Sequence, residues 1–329
     1  MKAALLDRPN VPLRVEDVPR PEPGRGQVRL RVLACGVCRT DLHIADGELS
    51  PHRRPIIPGH QIVGIVDAAG AGVAELRVGD RAGASWLAWT CGHCAQCTSG
   101  RENLCANAEF TGYDRNGGFA EFAVVDAKFA VALPDRDALA LAPFLCAGLI
   151  GFRAYRMAGD ARRIGLYGFG SAAHLLAQIA RHQGREVYAF TREEDEASRA
   201  LARELGAAWA GSSSRQPPHL LDAAIIFAPA GELVPLALRA VARGGSVICA
   251  GIHMSPIPSF SYDLLWGERV LRSVANVTRE DARRFFDAIR DVPLEPRITV
   301  FALDDAQRAL DDLRAGRVNG SAVVRVAPG

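Results

Sequence analysis

The sequence lacks any apolar run long enough to cross a membrane. Its longest, Leu139 to Phe152, is interrupted by Pro143 and falls short of the roughly 18 residues a membrane helix needs. The opening segment MKAALLDRP has no apolar core of the kind that directs secretion. Surplus charge is nearly absent too. The formal net charge is +2, and Lys2 and Lys128 are the only lysines among 39 basic residues. No basic stripe is interleaved with aromatic residues, so the electrostatic footprint of a nucleic-acid binder is missing. Internal repeats and low-complexity segments are also missing. Neither a membrane nor a nucleic acid is expected as a partner, and a cytoplasmic location is. Cysteines kept as free thiolates would suit such a reducing compartment.

A chain of 329 residues suggests two domains. Up to about residue 147 the sequence is rich in Gly and Pro. VRLRVLAC (28–35), QIVGIVDAAG (61–70) and FAEFAVVD (119–126) read as strands between turns. Beyond residue 148 the pattern changes. Strands are expected at 163–168, 186–190, 223–228 and 246–251, and helices at 171–183, 194–206 and 231–242. That alternation implies a parallel sheet covered by helices on both faces. Further helices are expected at EDARRFFDAI and DDAQRALDDLRAG, and a last strand at SAVVRVA.

Six of the eight cysteines and one histidine form two groups. Cys91, Cys94, Cys97 and Cys105 are separated by two, two and seven residues, a spacing that closes a four-thiolate cage of the structural zinc type. Cys38 in ACGVCRTDLH, His60 in PGHQ and Cys146 in APFLCAG form a dispersed group. It supplies three ligands with a fourth position open, as catalytic zinc requires. Spacing alone carries little for this second group; its neighbours carry more. Cys35 and Cys249 read as buried sheet residues.

A phosphate-binding turn is legible as well. Gly168, Phe169, Gly170, Ser171 and Ala173 follow an apolar strand and open a helix, and Gly168, Gly170 and Ala173 fit G-x-G-x-x-G/A. The first glycine allows the tight turn, the second lets a pyrophosphate approach the backbone, and the small third residue lets helix pack on strand.

With GVCRTDLH, PGHQIVG, CGHCAQC, NGGFAEF, LCAG and GLYGFGSAAH in this order and at these separations, the chain resembles the zinc-dependent alcohol dehydrogenases of the medium-chain dehydrogenase/reductase superfamily. It is most similar to their shorter, bacterial, propanol-preferring branch. The resemblance implies an α/β protein. A β-rich, GroES-like catalytic domain would comprise residues 1–147 and 275–329, and a Rossmann domain with a doubly wound parallel sheet residues 148–274, with substrate held between them. It implies two zinc ions per chain, a small alcohol or aldehyde substrate, hydride exchange with NAD(P), and a homo-oligomer, dimer or tetramer.

The resemblance also assigns residues. Cys38, His60 and Cys146 would hold the catalytic zinc. Thr40 and His43 would relay the substrate proton, Asp41 would orient His60, and Arg39 would meet a cofactor phosphate. Alignment puts Thr191, followed by Arg192, where an NAD enzyme carries an acidic residue for the ribose 2′-hydroxyl. NADP is therefore favoured slightly over NAD. Thr191-Arg-Glu-Glu194 also reads as a capping box for the next helix. Trp86 and Leu49 would line the substrate pocket, or else serve as core. Gln61 replaces the usual glutamate after the ligand histidine, removing a negative charge behind the metal. Ser321 stands where relatives often carry a phosphate-binding arginine. Two rival readings are a zinc-free quinone or enone reductase, opposed by the cysteines, and a non-catalytic binding protein, opposed by Thr40 and His43.

Overall fold

The computed structural model describes residues 1–49 and 52–327. The chain forms two compact units, Met1–Cys146 with Asn276–Phe286 and Pro296–Gly329, and Ala147–Ala275 with Asp287–Glu295.

The first unit is built on a seven-stranded sheet. Its order is Ile298–Ala302, Ser321–Arg325, Gln27–Val37, Gln61–Ala69, Arg81–Ala84 and Ala130–Ala132, with Phe122–Asp126 also pairing to Gln27–Val37. All pairs are antiparallel except the first. The alternation in VRLRV buries Val28, Leu30 and Val32 against Ile62, Val66, Phe119 and Val324. The expected strand at 119–126 begins only at Phe122. Phe119 instead accepts a hydrogen bond at its carbonyl from the Ala4 amide, at 2.8 Å.

The second unit is a six-stranded, wholly parallel sheet. Its order is Trp209–Ser212, Glu186–Thr191, Arg163–Tyr167, Leu221–Ile226, Val241–Cys249 and Val270–Ser273. Numbered along the chain this is 3-2-1-4-5-6, the doubly wound order whose first strand borders the crossover point where nucleotides bind. Tyr167 and Phe190 stack on neighbouring strands at 4.0 Å. Such β-sheet positions favour large apolar rings because cross-strand neighbours meet there.

Three expectations need correction. The helix expected at 231–242 is Leu233–Ala240, because the fully buried Val241 leaves it to pair with Leu221. The helix expected at 194–206 is Glu196–Glu204, and Asp195, not Thr191, caps it by accepting from the Ser198 amide at 3.0 Å. Finally, residues 275–329 do not all return to the first unit. Asp287–Glu295 belongs with the second, where the Gln178 side chain bonds the Glu295 amide and carbonyl, both at 3.0 Å.

Candidate active site and metal centres

The compact cysteine group sits on a loop bracketed by the paired strands Leu87–Trp89 and Glu109–Phe110. Cys94 precedes the one-turn helix Ala95–Thr98, and the short turn Glu102–Leu104 returns Cys105 to the cage. Cys91 Sγ lies 3.9 Å from Cys97 Sγ and 3.6 Å from Cys105 Sγ, and all four sulfurs fall within 4.8 Å of one another. Four thiolates around zinc at 2.3 Å would be about 3.8 Å apart, so the cage fits the ion. Amides of His93 and Cys94 aimed at the Cys91 sulfur lower its pKa to about 6. The loop is tied to the returning chain. Glu102, 7% exposed, accepts from the Arg279 amide and Nε at 3.1 and 3.0 Å.

The dispersed group converges at the end of the longest strand. Cys38 follows Gln27–Val37 and caps the helix Arg39–Ala45, its sulfur accepting from the Thr40 amide at 3.4 Å. Cys146 ends the short turn Ala142–Leu145. His60 Nε2 lies 3.3 Å from Cys38 Sγ, and the three ligand atoms lie within 4.8 Å of one another. A tetrahedral zinc would set sulfur and nitrogen about 3.5 Å apart, so these residues fit zinc also.

Asp41 organises the group. Its Oδ2 accepts from the Cys38 amide at 2.9 Å, and its Oδ1 accepts from the Gly59 amide and faces His60 Nδ1, both at 3.2 Å. One buried carboxylate thus fixes two members of the group and turns Nε2 toward the sulfur. The electrostatics follow from this proximity. The hydrogen bond from Cys146 holds the Cys38 thiol well below its ordinary range, and the same bond pushes Cys146 up. Burial favours neutral His60, but the charges of Asp41 and Cys38 outweigh it and hold the imidazole well above its ordinary value.

The motif glycines are explained by crowding. Gly59 has φ +93° and would place a Cβ 2.6 Å from the Phe119 ring. Gly117, in NGGF, would place one 2.1 Å from the Gly59 carbonyl oxygen. That motif therefore clamps the backbone that carries His60. Gln61 lies flat across Gly36 on the neighbouring strand, where a Cβ would meet its Cδ at 2.7 Å. Cys35 is fully buried, and burial pushes its thiol well up.

Thr40 and His43 are both buried on the helix Arg39–Ala45, three residues apart and so on one face. Arg39, on the same helix, is exposed. His43 Nδ1 is paired with the Glu48 carboxylate, a residue that spacing did not single out. Its signal was the tight turn after the helix, where Gly47 has φ +80° and the Leu49 amide bonds back to the His43 carbonyl at 3.0 Å. Leu49 is half-buried against the core. Trp86 meets the edge of the His60 ring at 5.2 Å and stacks on Phe110 at 5.0 Å.

In the second unit the turn after Arg163–Tyr167 is as its glycines require. Gly168 has φ +86°, and a Cβ there would lie 3.0 Å from Ala228, on the neighbouring strand's exit. Gly170 caps the helix Ser171–His182 and faces open space. Phe169 and Ala173 are buried, and Ser171 is half-buried. Thr191 ends the second strand 2% exposed. Its hydroxyl donates to the Arg192 carbonyl at 2.9 Å and accepts from Arg199 at 3.0 Å. Ser321 is buried at the start of its strand, its amide bonded to the Arg297 carbonyl at 2.9 Å.

Residues 24–135 match the alcohol dehydrogenase GroES-like domain family. The chain is 47% identical to "Probable alcohol dehydrogenase AdhA" of Mycobacterium tuberculosis, over 94% of this chain and 91% of that one. It is 32% identical to an alcohol dehydrogenase of Geobacillus stearothermophilus, over 99% and 100%. Its fold is similar to that of the cobalt- and zinc-bound thermostable alcohol dehydrogenase of Pyrobaculum aerophilum, at 26% identity and a TM-score of 0.87, covering 99% of each chain. With two zinc-competent centres and a doubly wound sheet beside them in sequence, the chain belongs to the zinc-dependent alcohol dehydrogenases of the medium-chain dehydrogenase/reductase superfamily, NAD(P)-linked oxidoreductases that interconvert alcohols and carbonyl compounds.

Proposed function

We propose that Cys38, His60 and Cys146 hold the catalytic zinc of a dehydrogenase for small primary alcohols and their aldehydes, and that Cys91, Cys94, Cys97 and Cys105 hold a structural one. The first unit would be the catalytic domain and the second the dinucleotide domain. The observation that carries this reading is Asp41, which binds the backbone of one ligand and the ring of another. When bound, zinc supplies Lewis acidity to the substrate oxygen and the nicotinamide exchanges hydride. The rest is done by the chain. Thr40 would receive the substrate hydroxyl proton while handing its own onward, and His43 would take up the proton so released, its ring steadied by Glu48. Trp86 and Leu49 bound the space beside the ligands. Gly168, Phe169, Gly170, Ser171 and Ala173 receive the pyrophosphate, and Arg39 contributes a cation to it. Gln61, neutral and packed on Gly36, leaves the ligand set without an extra negative charge.

NADP(H) is the proposed cofactor in preference to NAD(H). Thr191 brings no carboxylate to the end of its strand, and its hydroxyl is already engaged. Arg192, exposed and only loosely paired with Glu194 at 3.7 Å, would favour a 2′-phosphate, while Arg199 is engaged with Thr191, Glu196 and the backbone of Arg192 and Glu193. Glu193, the nearest acid in sequence, is paired with Arg215 at 3.2 Å. A homo-oligomer, dimer or tetramer, is also proposed. Val270–Ser273 is an edge strand of its sheet, and Tyr262, Trp266 and Val270 are exposed at 66%, 61% and 46%. No single helix among the described residues is long and apolar enough to cross a membrane. The unbridged cysteines suit the cytoplasm proposed for it.

The test is metal analysis with cofactor kinetics. About two zinc ions per chain are expected, falling to about one in Cys38→Ser with the fold retained. Arg192→Ala should lower the ratio of kcat/KM for NADPH to that for NADH. An unchanged ratio would refute the cofactor assignment, and one zinc or none in the wild type would refute the two-site reading.

A further inference from the structure

A line of rings runs outward from the ligand His60 through residues that neither hold metal nor relay protons. Trp86 contacts the His60 ring edge-on at 5.2 Å. Tyr113 tilts against Trp86 at 5.9 Å, and His52 tilts against Tyr113 at 4.8 Å. His52 Nδ1 is bonded to Asp114 Oδ1 at 2.6 Å, and its Nε2 lies 3.5 Å from the Tyr113 hydroxyl. The second oxygen of Asp114 accepts from the Phe110 amide at 2.8 Å, and Phe110 is the ring on which Trp86 stacks. One carboxylate, its side chain only 14% exposed, therefore ties the outermost ring to the backbone of the innermost stack.

The support around this line is uneven. The base of the 110–117 loop is fixed: the Phe110 carbonyl accepts from the Asp114 and Arg115 amides at 2.9 and 3.1 Å, and the Gly117 amide bonds the Ile57 carbonyl at 2.7 Å. The His52 side chain is 72% exposed, so neither burial nor packing explains its placement. The bond to Asp114 does. An exposed histidine ordinarily gains little from a single surface pairing; here the pairing holds a ring against an aromatic cluster that touches a metal ligand.

We propose that His52 is a positioning residue for substrate width. The His52–Asp114 clasp holds Tyr113 against Trp86, and Trp86 keeps the space beside His60 narrow, selecting unbranched primary alcohols and aldehydes over branched or aryl ones. This rests on the reading of Trp86 as a pocket wall. Without the clasp, Tyr113 loses its outer support and Trp86 gains room to tilt away from the ligands. Small substrates would be indifferent to that room, and bulky ones would gain from it.

The zinc-loaded enzyme is compared as wild type, His52→Ala, His52→Asn and Trp86→Ala, using 1-propanol and benzyl alcohol. His52→Ala should raise the benzyl-to-propanol ratio of kcat/KM roughly 3–10-fold, with kcat for propanol within about twofold of wild type. His52→Asn, which keeps a donor for Asp114, should lie closer to wild type. Near-ultraviolet circular dichroism of the zinc-free protein should change in His52→Ala, and the tryptophan part of that change should be absent in a Trp86→Ala background. If Trp86→Ala changes the ratio and His52→Ala does not, or if His52→Ala lowers both substrates equally, the clasp is refuted. An unaltered dichroism spectrum in His52→Ala refutes it as well. If Trp86→Ala leaves the ratio unchanged, the pocket reading itself fails.

Discussion

Asp41→Asn is the most direct probe of how this chain builds its ligand set. The carboxylate is 1% exposed and receives three contacts: Cys38 amide on one oxygen, Gly59 amide and His60 Nδ1 on the other. An amide has one acceptor oxygen and one donor nitrogen. If Asn keeps its oxygen toward His60 and Gly59, its NH2 faces the Cys38 N–H and two donors oppose each other. If it turns over, two contacts are lost instead of one. The first arrangement costs less, and leaves one buried amide unsatisfied. That costs about 1–3 kcal/mol, with the lost charge on the remaining two bonds adding to it. Because the bond at risk caps the helix that starts at Cys38, the cost falls on the ligand geometry. Partners of this kind typically contribute 10–100-fold in metal affinity. The expected outcome is a chelator competition shifted by about 10–100-fold at one of two sites, with the four-cysteine site unmoved. The midpoint of thermal unfolding of the metal-free protein should fall by a few degrees, about 2–4 °C per kcal/mol for units of this size. Equal zinc retention in Asp41→Asn and wild type would refute the argument, since Asp41 would then be a helix cap without influence on the ligands.

Gly117→Ala should be far more damaging than its size suggests. Its Cβ would sit 2.1 Å from the Gly59 carbonyl oxygen, so the backbone before His60 must move, at a typical overpacking cost of about 1–3 kcal/mol; unchanged stability and zinc content would contradict this. Glu48→Ala should lower kcat for alcohol oxidation about tenfold with KM little changed, a fraction of the 10²–10⁴-fold that a positioned acid–base group contributes. The loss should vanish in a His43→Gln background, and full additivity would separate Glu48 from the relay. Proton release on filling the four-cysteine cage should depend on pH through Cys91, whose pKa is about 6. At pH 5 Cys91 still carries its proton and gives up about one on binding; at pH 7.5 it has already lost it. Measured in a Cys38→Ser, Cys146→Ser background to silence the other site, release that does not fall between these values would contradict the assignment.

The spacing of four cysteines sufficed to mark them as one cluster, and the alternation of apolar strands with amphipathic helices sufficed for the parallel class of the second sheet. These are local properties. A cage whose ligands lie within fifteen residues (91–105) needs little from the rest of the chain. Strand–helix periodicity likewise reports burial one face at a time. The GFGSAA turn was legible for the same reason, since strand, glycines and helix are contiguous.

What only tertiary structure decided lies where distant segments meet. Cys38, His60 and Cys146 are brought within 4.8 Å of one another by a strand end, a clamped loop and a short turn; motif context named them, and folding brought them together. Glu48 and the Tyr113–His52–Asp114 cluster carry no motif, and only the turn at Gly47 and the fold of the 110–117 loop bring them to bear. Thr191 reads in sequence as a cap, yet Asp195 takes that role and Arg199 claims the Thr191 hydroxyl. Competition of that kind is settled by which donor a side chain reaches in three dimensions. Asp287–Glu295 likewise joins the second unit through tertiary contacts that no local pattern records: Ile289, Val292 and Leu294 are buried, and Gln178 meets the Glu295 backbone 117 residues away. Sequence patterns record what each segment must bury, and the pairing of buried faces and polar atoms across the chain decides which residues share a site.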